Sequence, residues 1–261
     1  MPFLEIDNIK INYATGKDGI IAGRKNLLFI HGGGGNCNAW LLTLRFSRGD
    51  HNLIAIELPG HGRSGGEGEK DIESYSEWIK RIIEHMSLEK CFLIGHSMGG
   101  AITLSFVLKY PQYLDGIVLV GTGARLRISH DIMKHIEGKF HDAVTLICRL
   151  AYSDNIPQYI IRMGEREMLK TKPEVLFGDV SACNAFDLLH DLSVIRTPTL
   201  IICGKEDRLT PTKYSCLLHE NIKGSRLVII NDGGHMVMIE RPKEFNKLIH
   251  DFVSNHSQSE E

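Results

Sequence analysis

The sequence predicts an α/β chain built on a doubly wound, mostly parallel sheet, opened by an antiparallel hairpin and interrupted by an inserted helical segment. Three observations carry this expectation. Short apolar runs recur along the chain at Leu27–Ile30, Leu53–Leu58, Cys91–Ile94, Ile117–Val120, Thr199–Cys203 and Leu227–Ile230. Near-continuous apolar runs of that length suit strands covered on both faces, as in a parallel sheet. Helical patterns separate them, and one long stretch has helical spacing with no strand-like run.

Taken in order, Phe3–Ile6 and Ile9–Tyr13 flank Asp7-Asn8, a pair suited to a two-residue hairpin turn, so an antiparallel edge is expected. Between Leu58 and Cys91, residues Ile72, Tyr75, Ile79, Ile82, Ile83 and Met86 fall at helical spacing, as a crossover between parallel strands requires. From Arg125 to Ile195 the rhythm changes: Ile132, Ile136, Phe140, Val144 and Ile147 keep helical spacing, with a break at Pro157. A structureless loop of that length is uncommon inside a compact domain. Residues 125–195 are therefore expected to form a helical cap above the carboxyl ends of the strands, where open α/β sheets bind ligands. Residues 1–124 and 196–261 form the core in this division. The closing SNHSQSEE reads as a frayed polar tail.

Composition narrows the partners. With 43% hydrophobic and 24% charged residues, the 261-residue chain reads as a globular protein. Lys plus Arg number 30 against 32 Asp plus Glu, a net charge of -2, which offers no electrostatic footprint for nucleic acid or an anionic membrane. No apolar run approaches the ~18 residues of a spanning helix, so membrane insertion is not expected. Glu5 and Asp7 stand where a secretory signal needs a basic segment and an apolar run, which makes a cytoplasmic location the expectation. The six cysteines show no CxxC or His-rich spacing and read as reduced, mostly buried thiols, with neither a metal site nor a cofactor implied.

The strongest local signal is Gly95-His96-Ser97-Met98-Gly99, a G-x-S-x-G pattern. It sits between the strand-like Lys90–Ile94 and a helical Gly100–Tyr110 ended by Pro111, the strand-to-helix context that a nucleophile elbow requires. A serine hydroxyl needs an adjacent base, and the base needs a third group to fix its tautomer. Of thirteen histidines, His235 follows the final β-run through Asn231-Asp232-Gly233-Gly234 and precedes a terminal helix, which makes it the preferred base. His96 is the alternative, read mainly as a packing residue. Asp207, in the polar loop after Thr199–Cys203, is the preferred acid, with Glu206 and Asp232 as rivals. The resulting order, Ser97, Asp207, His235, is one of three known triad orders. An oxyanion needs donors already in place. The backbone N–H of Met98 supplies one, and the loop His31-Gly32-Gly33-Gly34-Gly35 the other, assigned to Gly33.

With LLFIHGGGGN, ELPGHGRS, LIGHSMGGAI, ICGKEDRLTP and NDGGHMVMIERP in order, the chain resembles the α/β-hydrolase superfamily over essentially its whole length, in the cap-bearing, serine esterase-like branch. The resemblance implies the α/β-hydrolase fold, a serine triad without cofactor or metal, and a small acyl substrate. Esterases, lactonases, carbon–carbon bond hydrolases and cofactor-free haloperoxidases share that branch. Its relatives with an aspartate nucleophile are disfavoured by Ser97. A small apolar carboxylic ester is the leading expectation. A carbon–carbon bond hydrolase with the same triad, or a small-molecule receptor with a slow triad, are the alternatives. Arg125, Arg127, Lys134 and Lys139 are read as a solvated helix face, with an anionic substrate as the other possibility.

Overall fold

The computed structural model describes residues 2–46 and 51–256. Strands β1 (Phe3–Ile6), β2 (Ile9–Thr15), β3 (Lys25–Ile30), β4 (His51–Ile56), β5 (Cys91–His96), β6 (Leu114–Val120), β7 (Thr199–Gly204) and β8 (Arg226–Ile230) form one sheet in the order β1-β2-β4-β3-β5-β6-β7-β8. The pairs β1–β2 and β2–β4 are antiparallel and the rest are parallel. The expected hairpin is present, with Asp7 and Asn8 at φ 50° and 63°, the left-handed backbone that a two-residue turn demands and that Asp and Asn tolerate.

Helices α1 (Leu41–Phe46), α2 (Ile72–His85) and α3 (Met98–Lys109) alternate with the strands. Asp71 starts α2 by accepting from the Ser74 N–H, and Ile72, Tyr75, Ile79, Ile82 and Ile83 are its buried side, as their spacing predicts. After β6 come α4 (His130–Gly138), α5 (Phe140–Ala151), α6 (Gln158–Met168) and α7 (Pro173–Ala185), and then α8 (Thr212–Asn221), α9 (Val237–Glu240) and α10 (Pro242–Asn255). The apolar spacing through Ile147 is divided between two helices. Gly138, a weak helix former, ends α4, and Lys139 leaves helical backbone at φ -144°, ψ 63°. Of the polar tail, Ser254 and Asn255 complete α10, while residues 257–261 lie outside the described residues.

Two apolar layers cover the sheet. Leu28, Ile54, Leu93 and Ile117 pack with α2 and α3 on one face. Phe29, Ile94, Val118 and Ile202 pack with Trp40, Phe245 and Phe252 on the other. A third cluster, including Ile132, Val144, Cys148, Leu176 and Val180, lies within α4–α7, so that helical segment has a core of its own. Among the described residues no helix is long and apolar enough to cross a membrane.

The parallel strands all end on one edge. Loops leaving β3, β5, β7 and β8 there carry Gly33, Ser97, Asp207 and His235 respectively. At the β5–α3 junction the backbones come close enough that a Cβ on Gly95 would overlap the Gly99 carbonyl and Thr103 Oγ1. Gly95→Ala is therefore expected to cost about 2–3 kcal/mol through overpacking, read as a lowered urea midpoint. An unchanged midpoint would mean the junction is looser than its geometry implies.

Candidate active site

Ser97 lies at the turn between β5 and α3 with φ 53° and ψ -116°, a conformation that a non-glycine residue holds only when its surroundings over-determine it. They do so here. The Ser97 N–H donates to the Val120 carbonyl at 2.9 Å, and the Ser97 carbonyl accepts from Thr122 Oγ1 at 2.8 Å and from the Gly100 N–H at 2.9 Å. Met98, the first residue of α3, has no intrahelical acceptor for its N–H, and the positive end of the helix dipole lies beside Ser97.

His235 and Asp207 form a buried pair, with Nδ1 of the imidazole 2.8 Å from Oδ2 of the carboxylate. Asp207 Oδ2 also accepts from Thr210 Oγ1, and Oδ1 accepts from the N–H groups of Leu209 and Thr210. Burial pushes the Asp207 carboxyl upward, but His235 and the Thr210 donors outweigh that and hold it below its ordinary value. With an ionised acceptor at Nδ1, that nitrogen carries the hydrogen of the neutral ring and Nε2 keeps the lone pair. The rival acids are placed otherwise: Glu206 is half-buried, and Asp232 is exposed and pairs with Arg241.

His96, the rival base, is turned away from that role. Its Nε2 is 3.0 Å from the His235 carbonyl oxygen, so Nε2–H donates there, and its ring lies against the His235 ring at a tilt of 56° with centroids 4.5 Å apart. Burial, and then the neighbouring His235, pull His96 well below the ordinary histidine value, so it is a neutral ring.

The glycine loop after β3 is held by side chains. His31 is buried; the Leu58 N–H donates to its Nε2, so its Nδ1–H donates to the Gly32 carbonyl at 2.8 Å. Burial and the nearby His61 pull it down to about 3. The Gly34 N–H donates to Asp179 Oδ2 at 2.8 Å, and Thr171 Oγ1 donates to the Gly34 carbonyl at 2.9 Å. Asp179 is fully buried and also accepts from Tyr75 Oη at 2.7 Å and from His61 Nε2 at 2.8 Å. Since His61 Nδ1 faces the Pro59 carbonyl at 3.0 Å, both ring nitrogens donate and His61 is an imidazolium. Burial pulls its value down, but the Asp179 charge more than offsets this and leaves it raised.

The sequence motifs assign His61 no role beyond its place in Pro59-Gly60-His61-Gly62-Arg63-Ser64 and do not include Asp179, Thr171 or Thr210 among the site residues. One signal for Asp179 was legible: it is the lone charge in the Val175–Ala185 part of α7. The four cations read as one solvated helix face do not share a helix: Arg125, paired with Asp187, and Arg127, which donates to the Asn184 and Phe186 carbonyls, precede α4, and Lys139 separates α4 from α5, so that Lys134 alone of the four stands, exposed, on a helix.

Ser97, His235, Met98 and Gly33 all line one cavity of about 300 Å³. Its remaining wall is largely aliphatic, with Ile128, Ile132, Ile147, Leu150, Leu176 and Val180 among the contributors. Among the described residues no group of three or more His, Cys, Asp or Glu side chains could hold a metal ion. The arrangement places a serine hydroxyl and a buried imidazole paired with a carboxylate beside one small, largely apolar space.

The family model of the serine aminopeptidases, S33, matches residues 22–242. The chain belongs to this family of α/β-hydrolases. This α/β-hydrolase is 28% identical to a proline iminopeptidase of Saccharolobus solfataricus, over 88% of its own length and 84% of the relative's. It is 23% identical to a 2-hydroxy-6-oxononadienedioate/2-hydroxy-6-oxononatrienedioate hydrolase of Paraburkholderia phymatum, over 89% and 88%. A solved thermophilic esterase is 32% identical and superposes with a TM-score of 0.87, covering 98% of this chain and 97% of that one. The α/β-hydrolase is thus an enzyme whose relatives include an esterase, an iminopeptidase and a 2-hydroxy-6-oxononadienedioate/2-hydroxy-6-oxononatrienedioate hydrolase.

The buried histidines set a pH dependence of stability. His31 and His96 have lowered values when folded, so below about pH 6.5 the unfolded chain binds protons at both that the folded chain refuses. Stability then falls by about 1.4 kcal/mol per pH unit for each ring, about 2.7 together. Asp207, also lowered, loses its contribution at still lower pH. His61, raised, has the opposite sign: its contribution is complete below pH 6.5 and fades as pH rises through its folded value. Urea midpoints from pH 8 to pH 4 should peak near neutrality and drop steeply in acid, whereas a flat profile between pH 6.5 and pH 5 would contradict the neutral rings.

Proposed function

We propose that the chain is a serine carboxylesterase for small, largely apolar esters, with residues 125–195 serving as the cap that shapes its cavity. The observation that carries this reading is the opening of Ser97 and of His235, itself paired with Asp207, onto one cavity with a mainly aliphatic wall. In this reading Ser97 Oγ attacks the ester carbonyl while His235 Nε2 takes its proton, and Asp207 stabilises the resulting imidazolium. The N–H groups of Gly33 and Met98 receive the oxyanion. Collapse of the tetrahedral intermediate expels the alcohol, protonated by His235, and leaves an acyl-enzyme. His235 then deprotonates a water that attacks the acyl carbonyl, and the acid departs with Ser97 restored.

Charge at the cavity wall favours this substrate class over those of the iminopeptidase and the 2-hydroxy-6-oxononadienedioate hydrolase. An acidic substrate, such as a carbon–carbon bond hydrolase would take, needs a cation. The two arginines of the lining are already engaged, Arg208 with Asp154 and the Arg149 and Tyr152 carbonyls, and Arg127 with carbonyls of the α7 end. An aminopeptidase substrate needs a carboxylate for its ammonium, and Asp179, at the wall, already accepts from three donors. A neutral ester asks for neither. Unbridged cysteines, five of the six buried, support work in a reducing compartment such as the cytoplasm.

At about 30 Å³ per water-sized group the cavity has room for about ten non-hydrogen atoms, which a p-nitrophenoxy group alone would nearly fill, so p-nitrophenyl esters should be turned over best with short acyl chains of about two to four carbons and lose rate as the chain lengthens. Ser97→Ala should fold normally, lose labelling by a fluorophosphonate probe and lose on the order of 10⁴- to 10⁶-fold in kcat. Turnover retained by that variant would sink the mechanism. Asp207→Asn should lose on the order of 10⁴-fold in kcat with the fold intact, because the amide can favour the wrong His235 tautomer.

A further inference from the structure

A loop of four glycines has no side chains with which to fix its own peptide planes. An amide that must meet an oxyanion cannot be left to rotate, because the donor works only if it is aimed before charge develops. What holds the Gly32–Gly35 loop is therefore a functional question. The peptide joining Gly32 and Gly33 is held at its carbonyl, which accepts from His31 Nδ1 at 2.8 Å and from the Gly35 N–H at 3.0 Å. Its N–H, on Gly33, points the opposite way across the trans peptide.

The peptides on both sides of Gly34 are held by the inserted helices. Asp179 of α7 accepts from the Gly34 N–H, and Thr171, in the α6–α7 turn, donates to the Gly34 carbonyl. Gly34 itself sits at φ +64°, and a Cβ there would lie 2.8 Å from Leu176 Cδ1, so α7 rests directly on the loop. Asp179 is not free to follow the loop if it moves. His61, from the segment after β4, and Tyr75, from α2, grip its carboxylate from the core side. The charged His61–Asp179 pair thus ties α7, the glycine loop and the core at one buried point.

We propose that Asp179 and Thr171 are positioning residues for the oxyanion donor: by clamping both peptides of Gly34 they aim the Gly33 N–H, so that seating α6–α7 on the core also completes the oxyanion hole. Neither side chain takes part in proton transfer or bond making. Their effect falls on the tetrahedral state, where the aimed N–H gains most, and hardly on the ground-state ester. The inference rests on the reading of Gly33 as an oxyanion donor in an esterase, so its test needs a readout for each.

The experiment compares wild type, Thr171→Val, Thr171→Ser and Asp179→Asn for p-nitrophenyl ester kinetics, for inhibition by an alkyl boronic acid that forms a tetrahedral adduct, and for melting temperature. Thr171→Val keeps the shape and removes the donor. It is expected to lower kcat about tenfold with KM within about twofold, and to weaken the boronic acid by a similar factor. Thr171→Ser, which keeps the donor, should restore most of the rate. Asp179→Asn should lower kcat about 100-fold, because the neutral amide removes the anion that keeps His61 an imidazolium, and a neutral His61 loses one of its two donations, to residue 179 or to the Pro59 carbonyl, which loosens the tie on the loop. Folded variants that keep wild-type kcat and boronic acid affinity, or a Thr171→Ser as slow as Thr171→Val, would overturn the inference while leaving the esterase reading intact. A wild type that neither hydrolyses esters nor reacts with a fluorophosphonate would overturn that reading and the inference with it. If Asp179→Asn does not fold, the Thr171 pair alone decides.

Discussion

The structure depends on one backbone constraint: Ser97 held at positive φ where β5 turns into α3. A non-glycine residue in such a conformation costs on the order of 1–3 kcal/mol, and only firm bonds to fixed neighbours keep it there. The end of β6 supplies them, through the Val120 carbonyl and Thr122 Oγ1. Between those two residues, the Gly121 N–H donates to the Ile202 carbonyl of β7, the strand that leads into Asp207. Three residues of β6 and its exit thus relate the proposed nucleophile to the proposed acid through backbone hydrogen bonds. Sheet register, which is specified by the apolar pattern of the buried strands, becomes site geometry.

Around this frame the surrounding histidines have different charge states, each set by what its two ring nitrogens face. His31 and His96 each donate to one carbonyl and are neutral, whereas His61 donates to two acceptors and is charged. The distinction matters for His235. A cationic His96 at its ring separation of 4.5 Å would oppose an imidazolium at His235 by about 4 kcal/mol at an effective dielectric of about 20. Burial of His96 as a neutral ring removes that opposition, while its Nε2–H still holds the His235 backbone. The one cationic histidine of the three is matched by Asp179, and its charge is used between layers.

The core of this fold was legible because its signals are local. Each parallel strand announces itself as a short apolar run, the Asp7-Asn8 turn as a dipeptide, and Ser97, Asp207 and His235 as residues at the ends of such runs. Legibility fails where a contact depends on distance along the chain. Asp179 meets Gly34, His61 and Tyr75 across separations of 145, 118 and 104 residues, and nothing local says that α7 will lie on the glycine loop. A single carboxylate in an apolar helical stretch hinted at a buried partner without identifying it. The split at Lys139 escaped for another reason: apolar spacing continues in phase across Gly138, so periodicity alone cannot see the change of direction.

This division also explains why fold and family leave the substrate open. The proposed reactive groups stand on loops at strand ends, whose positions follow from the sheet, and relatives as differently named as an esterase and an iminopeptidase match across that frame. About half of the cavity wall belongs instead to the stretch from Leu126 to Cys183, most of it on α4–α7, which pack around their own apolar cluster and can vary in sequence without disturbing the strands. Such freedom has a limit. The segment must still put a carboxylate against His61 and the glycine loop, since an imidazolium buried beside the site without its anion would be far more costly than any change in the aliphatic wall. Variation in substrate should therefore be found in the side chains of α4–α7 that face the cavity, and constancy in the few that reach past it to the core.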